Sequence, residues 1–313
     1  MLNQNERILV TGGTGLIGKN LSLRLQSLGL DFLSIGSKED LRSESITKKI
    51  FNSYRPTIVY HLAAKVGGIY ANSNYKPAFY SDNVLINTNV VNACAELKVR
   101  YVFAMGTGCA YPKRLEDNVL HEDNFLDGVP EATNDAYAYA KRGLLVHLKS
   151  VSDSGEMQFL YCLPANIYGP HDNYHPVNSH VVPGLIRRFC DAVDQKSDTI
   201  SIWGDGSARR DFLYIEDCID AMILLTKQNV TGVVNVATSK LTSIRDLAKQ
   251  IGVATQFDGS ILFDQTQLTG QLQRIFDPTK MSSLGWHSKT SVSDGIALTV
   301  DWFRANQNCV RER

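Results

Sequence analysis

Short apolar runs alternate with longer stretches in which apolar residues recur every three or four positions along the first half of the chain. The short runs are typical of buried parallel strands, and the longer stretches predict helices. The predicted strands are residues 7–11, 32–35, 57–62, 101–104 and 158–163. The clearest helices are predicted from Leu16 to Leu28, from Asn83 to Leu97 and around Tyr137. This order predicts an α/β protein built on a doubly wound parallel sheet.

A glycine-rich turn, Gly-Gly-Thr-Gly-Leu-Ile-Gly at residues 12–18, follows the first strand directly and opens the first helix. Gly12 and Gly15 are expected to let backbone N–H groups approach a diphosphate, while Gly18 lets the helix lie close to the strand. A glycine turn without a ligand is the alternative. The position between strand and helix favours a dinucleotide site of the Rossmann type.

The end of the second predicted strand indicates which dinucleotide is bound. An acidic residue at this point accepts from the ribose 2′-hydroxyl of NAD, whereas a cation favours the 2′-phosphate of NADP. The strand is followed by Gly36-Ser37-Lys38-Glu39, with no acid at its tip. We predict NADPH as the cofactor, held in part by Lys38. The alternative is that Lys38 is a solvated loop residue beside Glu39.

Beyond Gly169 the regular alternation ends. Residues 170–180 have the composition of a loop, Gly204-Asp205-Gly206 is a predicted turn, and the apolar run at 233–237 is expected to rejoin the first sheet. At 313 residues the chain is long for one core. We predict an NADP-binding Rossmann domain formed by residues 1–167 and about 205–241, and a smaller α/β substrate domain formed by about 168–204 and 242–313.

The chain carries 32 Lys and Arg and 32 Asp and Glu, so its formal net charge is zero. This balance argues against a chain-wide surface for nucleic acid or an anionic membrane. No apolar run approaches the roughly 20 residues that span a bilayer, and the first residues lack a signal pattern. Six cysteines without Cys-x-x-Cys spacing are typical of a reducing compartment. We expect a cytoplasmic protein with no nucleic-acid or membrane partner.

His171, His175 and His180 lie close together in the sequence. No acid-rich or cysteine cluster nearby completes a ligand set, and the intervening residues suit an irregular loop. We therefore expect no metal.

Tyr137 and Lys141 are one helical turn apart on the same face. The ammonium is expected to lower the pKa of the phenol from its usual value of about 10 and to orient the nicotinamide ribose. The phenol then protonates a ketone oxygen as hydride arrives. Such a pair is common by chance on exposed helices, but here it follows a glycine turn and a strand ending in Gly106-Thr107.

Cys109 lies just after that strand. A plain carbonyl reduction has no use for a thiol, whereas moving a proton on carbon needs one group to remove it and another to return one. A thiol and an imidazole can each serve. The alternative is that Cys109 is a small buried hydrophobe.

Several motifs together carry a resemblance to a known family. They occupy residues 61–69, 109–113, 131–134, 166–173, 179–183 and 203–206. With the glycine turn and the Tyr137/Lys141 pair, they make the chain similar to the GDP-L-fucose synthases within the extended short-chain dehydrogenases/reductases, over nearly its whole length. The resemblance implies a homodimer that uses NADPH to epimerise C3 and C5 of GDP-4-keto-6-deoxy-D-mannose and to reduce C4, giving GDP-L-fucose.

The resemblance also implies residue roles. Cys109 and His180 are the acid/base pair of epimerisation, Tyr137 is the proton donor at C4 with Lys141 as its partner, and Thr107 supplies a supporting hydroxyl. Substrate contacts are expected at Asn166, His180, Arg188, Trp203, Arg210 and Arg274. Cofactor contacts are expected at Gly12, Gly15, Leu16, Ile17, Gly18, Lys38, Ala63, Gly106, Lys141, Pro164, Asn166 and Ile167.

The chain departs from the family pattern at a few positions. Gly108 replaces a small polar residue, Thr14 and Gly36 stand where relatives can carry arginine, and residues 271–273 lack the usual Thr-Pro before Arg274. Two of the expected site residues have alternative interpretations. His180 is a loop histidine bonded to the backbone in one alternative, and Arg188 is a solvated helix residue in the other.

Neighbouring activities remain open. A GDP-L-colitose synthase, which inverts only C5 of a 3-deoxy sugar, or a GDP-6-deoxy-4-keto-heptose reductase would differ by few pocket residues. A non-catalytic dinucleotide-sensing module is disfavoured because Cys109, Tyr137, Lys141 and His180 are all present.

Overall fold

The computed structural model describes residues 2–113, 118–155, 157–265 and 275–311. Its strands in chain order are β1 Ile8–Thr11, β2 Phe32–Ile35, β3 Ile58–His61, β4 Tyr101–Met105, β5 Val119–Leu120, β6 Gln158–Pro164, β7 Asn166–Tyr168, β8 Thr199–Trp203, β9 Arg209–Tyr214, β10 Gly232–Val236, β11 Leu241–Ser243, β12 Ser260–Asp264 and β13 Ile275–Phe276. Its α-helices are α1 Leu16–Ser27, α2 Glu44–Tyr54, α3 Ile69–Asn74, α4 Lys76–Glu96, α5 Asp135–Asp153, α6 Val181–Asp194, α7 Ile215–Lys227, α8 Ile244–Thr255, α9 Thr279–Ser283 and α10 Val292–Asn306.

The main sheet has six parallel strands in the order β10-β6-β4-β3-β1-β2. Helices cover both faces, with α1 packed against α7 and with α4 packed against α2 and α5. The central strands are almost wholly buried, as expected for a sheet covered on both sides. The predicted doubly wound parallel sheet is therefore confirmed. The direction in which strands are added to the sheet reverses between β1 and β3, and this reversal places a crevice beyond the carboxyl ends of these strands.

The run predicted to rejoin the main sheet does so. It forms β10, which pairs in parallel with β6 so that Val236 lies opposite Pro164. Smaller sheets form the remainder: β7 and β11 flank β9, β8 pairs with β12, and β5 pairs with β13. The sheet around β9 takes strands from both sides of the predicted domain boundaries. The division into two domains stays a prediction.

Two helical features differ from the expectation. Helix α4 begins at Lys76, earlier than the predicted start at Asn83, because Pro77 is tolerated within a first helical turn. Helix α2 was not predicted, although Ser43 caps it by accepting from Ile46 N. No helix in the described ranges is both long and apolar enough to cross a membrane.

The six cysteines carry free thiols. Cys94, Cys162, Cys190 and Cys218 are buried in the core, whereas Cys109 and Cys309 are exposed. Cys109 is thus not the small buried hydrophobe of the alternative reading.

Candidate active site

The glycine turn between β1 and α1 is shaped by close backbone packing. Gly12 has a positive φ of 72°, and a Cβ there would lie 2.8 Å from the backbone of Leu62 and Ala63. A Cβ on Gly18 would lie 2.3 Å from Gly12 O. The role expected for Gly18 agrees with this packing. Gly12 is required by its own positive φ and by the backbone just after β3. Its expected role toward the diphosphate stays a prediction.

Gly15 leaves the start of α1 open. A Cβ at this position would meet the backbone only at Gly12 O, 3.2 Å away. Gly15 is the N-cap of α1 and makes no side-chain cap, and the first turn carries no acidic residue. The N–H groups of Leu16 and Ile17 at such a helix start form a site for an anion. The turn therefore fits the diphosphate of a dinucleotide.

The end of β2 carries one feature that the sequence did not resolve. Glu39 Oε2 accepts a 3.0 Å hydrogen bond from Gly36 N, which anchors the carboxylate at the tip of the strand. Lys38 is exposed. A Cβ on Gly36 would lie 2.6 Å from Thr14 Cγ2, so the glycine accommodates the threonine side chain. An anion bound here would meet both the Lys38 cation and the Glu39 carboxylate.

Lys141 on α5 is held in the interior. It is 2% exposed, and its Nζ donates a 2.7 Å hydrogen bond to Met105 O at the end of β4. Burial lowers the pKa of Lys141 to about 8. Its Nζ lies 5.9 Å from the centre of the Tyr137 ring. The cation and the phenol therefore face the same end of the sheet.

Tyr137 is strongly desolvated. Burial raises its pKa well above 10, and the charge of Cys109 raises it further. The expectation that Lys141 lowers this pKa was wrong for the protein by itself, because burial dominates and the ammonium is bonded to Met105 O. The phenol is therefore protonated near neutrality, which is the form that can donate a proton, but burial makes it a weaker acid than a solvated tyrosine.

Cys109 lies in a short 3₁₀ turn, Gly108–Ala110, directly after β4. Thr107 Oγ1 accepts from Cys109 N at 3.3 Å, so the Thr107 side chain caps this turn. The thiol is near enough to Tyr137 to influence its pKa, and near enough to Arg210 to raise the pKa of that guanidinium against the lowering effect of burial. The structure thus brings the thiol, the phenol and a cation together.

His180 approaches from the second half of the chain. It is exposed at the N-cap of α6. The preceding residue packs against the loop after β3, since a Cβ on Gly68 would lie 2.7 Å from Ser179 O. Phe79 contacts the edge of that loop and the Tyr137 ring, whose centroid is 6.3 Å away. No hydrogen bond joins His180 to Cys109 among the described residues. Their pairing stays a prediction.

The expected substrate contacts lie along two small sheets. Trp203 ends β8 with 66% of its surface exposed, and exposed Arg188 donates from Nη2 to Ser201 O on the same strand. Arg210 lies on β9, where its Nη1 donates to Arg209 O at 2.7 Å. Asn166 Nδ2 donates to Asp211 O at 2.9 Å. Arg274 lies outside the described residues.

The remaining expected cofactor contacts occupy the carboxyl ends of main-sheet strands or adjoin them. Ala63 N donates to Thr11 Oγ1 at 3.1 Å. A Cβ on Gly106 would lie 2.4 Å from the Tyr161 ring, so this glycine is required by packing. Pro164 ends β6 and Ile167 lies in β7. Among the described residues, no group of three or more His, Cys, Asp or Glu side chains is arranged to hold a metal ion.

A buried polar network was missed by the sequence analysis. His61 Nδ1 lies 3.0 Å from Thr11 Oγ1, and His61 Nε2 lies 3.0 Å from Asn87 Oδ1. The Thr11 oxygen already accepts from Leu62 N and Ala63 N, so its hydroxyl donates to Nδ1 and Nε2–H donates to the amide oxygen. Asn87 Nδ2 donates to Ala140 O at 3.3 Å. The network ties the glycine turn to α5 beside Lys141.

The burial of His61 in this network leads to a prediction about the stability of the fold at acid pH. Burial lowers the pKa of His61 to about 3, and the charge of Lys141 adds to this effect. Below the ordinary pKa of 6.5, His61 is therefore protonated in the unfolded chain but stays neutral in the folded chain. Stability is lost as pH falls below that value, and His61 accounts for about 3 kcal/mol by about pH 4.5.

Urea unfolding at several pH values checks the prediction. His61→Gln is expected to be less stable at neutral pH but to have a shallower acid dependence than the unsubstituted protein. His287→Gln, which replaces an exposed histidine, serves as the control and is expected to leave the pH dependence of the free energy of unfolding unchanged. The same pH dependence in His61→Gln as in the unsubstituted protein would contradict the neutral state inferred for His61.

Comparison with known proteins agrees with this arrangement. The profile of the NAD dependent epimerase/dehydratase family matches residues 8–237, and the chain belongs to that family. It is 33% identical to GDP-L-fucose synthase of Escherichia coli over 98% of this chain and 99% of that protein. It is 32% identical to GDP-L-colitose synthase of Yersinia pseudotuberculosis over 96% of this chain and 99% of the relative.

A solved structure shows the same fold at full length. The GDP-L-fucose synthetase of Naegleria fowleri bound to NADP superposes with a TM-score of 0.91 and 32% identity, covering 100% of this chain and 96% of that one. The chain therefore shares the overall fold of this structure along its whole length.

Proposed function

We propose that the protein is an NADPH-dependent enzyme that epimerises C3 and C5 of GDP-4-keto-6-deoxy-D-mannose and reduces C4, giving GDP-L-fucose. The observation that carries this proposal is the convergence of Cys109, Tyr137 and Lys141 at the carboxyl end of β4. The similarity to the fucose synthases supports the choice of sugar nucleotide.

The epimerisation depends on the ketone. A carbonyl at C4 acidifies the protons on C3 and C5, and each inversion requires removal of a proton from one face and return from the other. In the proposal Cys109 and His180 take these two roles. Arg210, near Cys109, offers N–H donors for the sugar or the diphosphate, and Trp203 and Arg188 bind the nucleotide side.

The reduction uses the second pair. NADPH, bound on the glycine turn, supplies hydride to C4. Tyr137 donates its proton to the C4 oxygen as hydride arrives. Because burial raises the pKa of this phenol, the transfer depends on a cation that stabilises the phenolate. Lys141, fixed by Met105 O, orients the ribose and stabilises the phenolate that the transfer leaves.

The product assay tests this function. The protein is incubated with GDP-4-keto-6-deoxy-D-mannose and NADPH, and the stereochemistry of the product at C3, C4 and C5 is resolved by NMR. GDP-L-fucose is the expected product. A product reduced at C4 without inversion would leave a simple reductase. A parallel incubation with the 3-deoxy analogue tests the alternative, since preferred turnover of that analogue with inversion only at C5 would assign a colitose synthase. Cofactor binding without turnover of either sugar would assign a sensing module.

A homodimer belongs to the same proposal. Helices α4 and α5 pack together, and their outer faces expose Tyr80, Leu85, Tyr139 and Val146. Such an apolar surface is typical of an interface between copies of a chain. Light scattering is expected to show a dimer, and Val146→Glu is expected to shift it to a monomer. The reduced thiols suit the cytoplasm, where we place the enzyme.

The cofactor preference gives a further prediction. Lys38→Ala is expected to weaken NADPH binding about five- to tenfold and to leave NADH unaffected, because only NADPH carries the 2′-phosphate. Glu39→Gln keeps an acceptor for Gly36 N but removes the charge, so NADPH is expected to bind more tightly. Fluorescence titration measures both affinities. Lys49→Ala, an exposed lysine on α2, is the control. Equal losses for both cofactors in Lys38→Ala would contradict the assignment.

A further inference from the structure

The segment after α10 returns to the glycine turn. Arg311 Nη1 donates a 3.4 Å hydrogen bond to Thr14 O and lies 3.5 Å from the point where a Cβ on Gly15 would stand. Backbone contacts hold the segment in place, since Tyr174 N donates to Arg311 O at 2.9 Å and Asn173 pairs with Arg311 in a parallel bridge. A guanidinium distant in sequence is therefore seated beside the start of α1.

Several positive groups come together at this position. The start of a helix carries a partial positive charge on its free N–H groups. The first turn of α1 has no acidic residue and no side-chain cap, and Lys19 adds an exposed cation one turn along. A guanidinium beside these groups raises the local positive potential further. An anion bound between them would be attracted by the guanidinium and by the helix start together.

Asp172 lies close enough to Arg311 for the two charges to interact. Burial raises the pKa of Asp172, and the charges of His180 and Arg311 lower it. Asp172 Oδ1 accepts from Asn173 N at 2.7 Å, so this carboxylate stabilises the loop that holds Arg311. No hydrogen bond from α1 to Asp172 occurs among the described residues. Asp172 therefore stabilises the loop that pairs with the backbone of Arg311.

We propose that Arg311 binds the diphosphate of the dinucleotide, together with the N–H groups at the start of α1. A guanidinium presents a fork of donors that matches two phosphate oxygens. Residues 12–18 carry no charged side chain, so Arg311 supplies a cation that the turn itself lacks. The inference rests on the NADP dependence proposed above, but not on the identity of the sugar.

The test measures equilibrium binding of cofactor fragments to the full-length chain by calorimetry. ADP-ribose carries the diphosphate without a 2′-phosphate, and 2′-AMP carries the 2′-phosphate without the diphosphate. Arg311→Gln is expected to weaken NADP and ADP-ribose binding about tenfold each and to leave 2′-AMP unchanged. Arg311→Lys, which keeps the charge, is expected to restore part of the affinity. The dependence of NADP binding on salt is expected to become shallower in Arg311→Gln.

The control and the contrary outcomes separate this role from a structural one. Arg304 on α10 also donates to a backbone carbonyl, Thr255 O, at 2.6 Å, and Arg304→Gln is expected to leave all three ligands unaffected. Losses confined to NADP and 2′-AMP would overturn the proposal by placing Arg311 at the 2′-phosphate. Reduced thermal stability with unchanged affinities would overturn it by leaving a purely structural contact. A wrong sugar assignment in the product assay would not alter these binding results.

Discussion

Tyr137→Phe is expected to slow NADPH oxidation about a thousandfold while leaving proton exchange on the substrate largely intact. The substitution removes the hydroxyl that protonates the C4 oxygen but keeps the ring that packs on Phe79. Cys109 and His180 remain available to move protons at C3 and C5. Solvent-deuterium incorporation, followed by mass spectrometry alongside NADPH oxidation, measures the two activities separately.

The neighbouring Tyr139 provides the control for this variant. Its ring is exposed on the same helix, so Tyr139→Phe is expected to retain both activities. If Tyr137→Phe reduced the substrate at the rate of the unsubstituted protein, another group would have to donate the proton. The assignment of the reductive pair would then be lost.

Cys109→Ser is expected to show the converse pattern. Serine has nearly the volume of cysteine and preserves the backbone hydrogen bond to Thr107, but its hydroxyl is a poor acid and base near neutral pH. Deuterium incorporation at C3 and C5 is expected to fall at least a hundredfold. Reduction at C4 is expected to persist in weakened form, since Tyr137 and Lys141 are unchanged.

Cys309→Ser replaces the other exposed cysteine and serves as the matched control. It is expected to exchange deuterium normally. If Cys109→Ser exchanged deuterium at C3 and C5 as fast as the unsubstituted protein, Cys109 would be a packing residue. The two-step chemistry would then lack its main physical support.

Features set by local pattern and by the rules of parallel sheets were predicted well. The glycine turn is followed by α1 as expected, and β10 rejoins the main sheet because a crossover from β9 through α7 brings it beside β6. The start of α4 was missed because its first residues lack a clear apolar period. Pro77 in the first turn and the buried Phe79 belong to the part of the helix that was missed.

The remaining features depend on contacts that no local pattern contains. The raised pKa of Tyr137 follows from burial, which is decided by elements packed around it. The His61 network joins residues from β1, β3, α4 and α5, each unremarkable in its own segment. Arg311 and Thr14 are separated by 297 positions. A polar residue at the end of a buried strand, such as Thr11 or His61, was the available signal.

Gly108 carries a consequence for how this chain can diverge. A Cβ there would lie 2.5 Å from the ring of Phe276, and Phe276 is itself buried against Tyr111 with 6.2 Å between ring centroids. A side chain at position 108 therefore requires the Phe276 ring to shift or to be replaced by a smaller one. We expect the effects of substitutions at the two positions on stability to be non-additive, so that the room beside Cys109 is set in part by a residue 168 positions away in the chain.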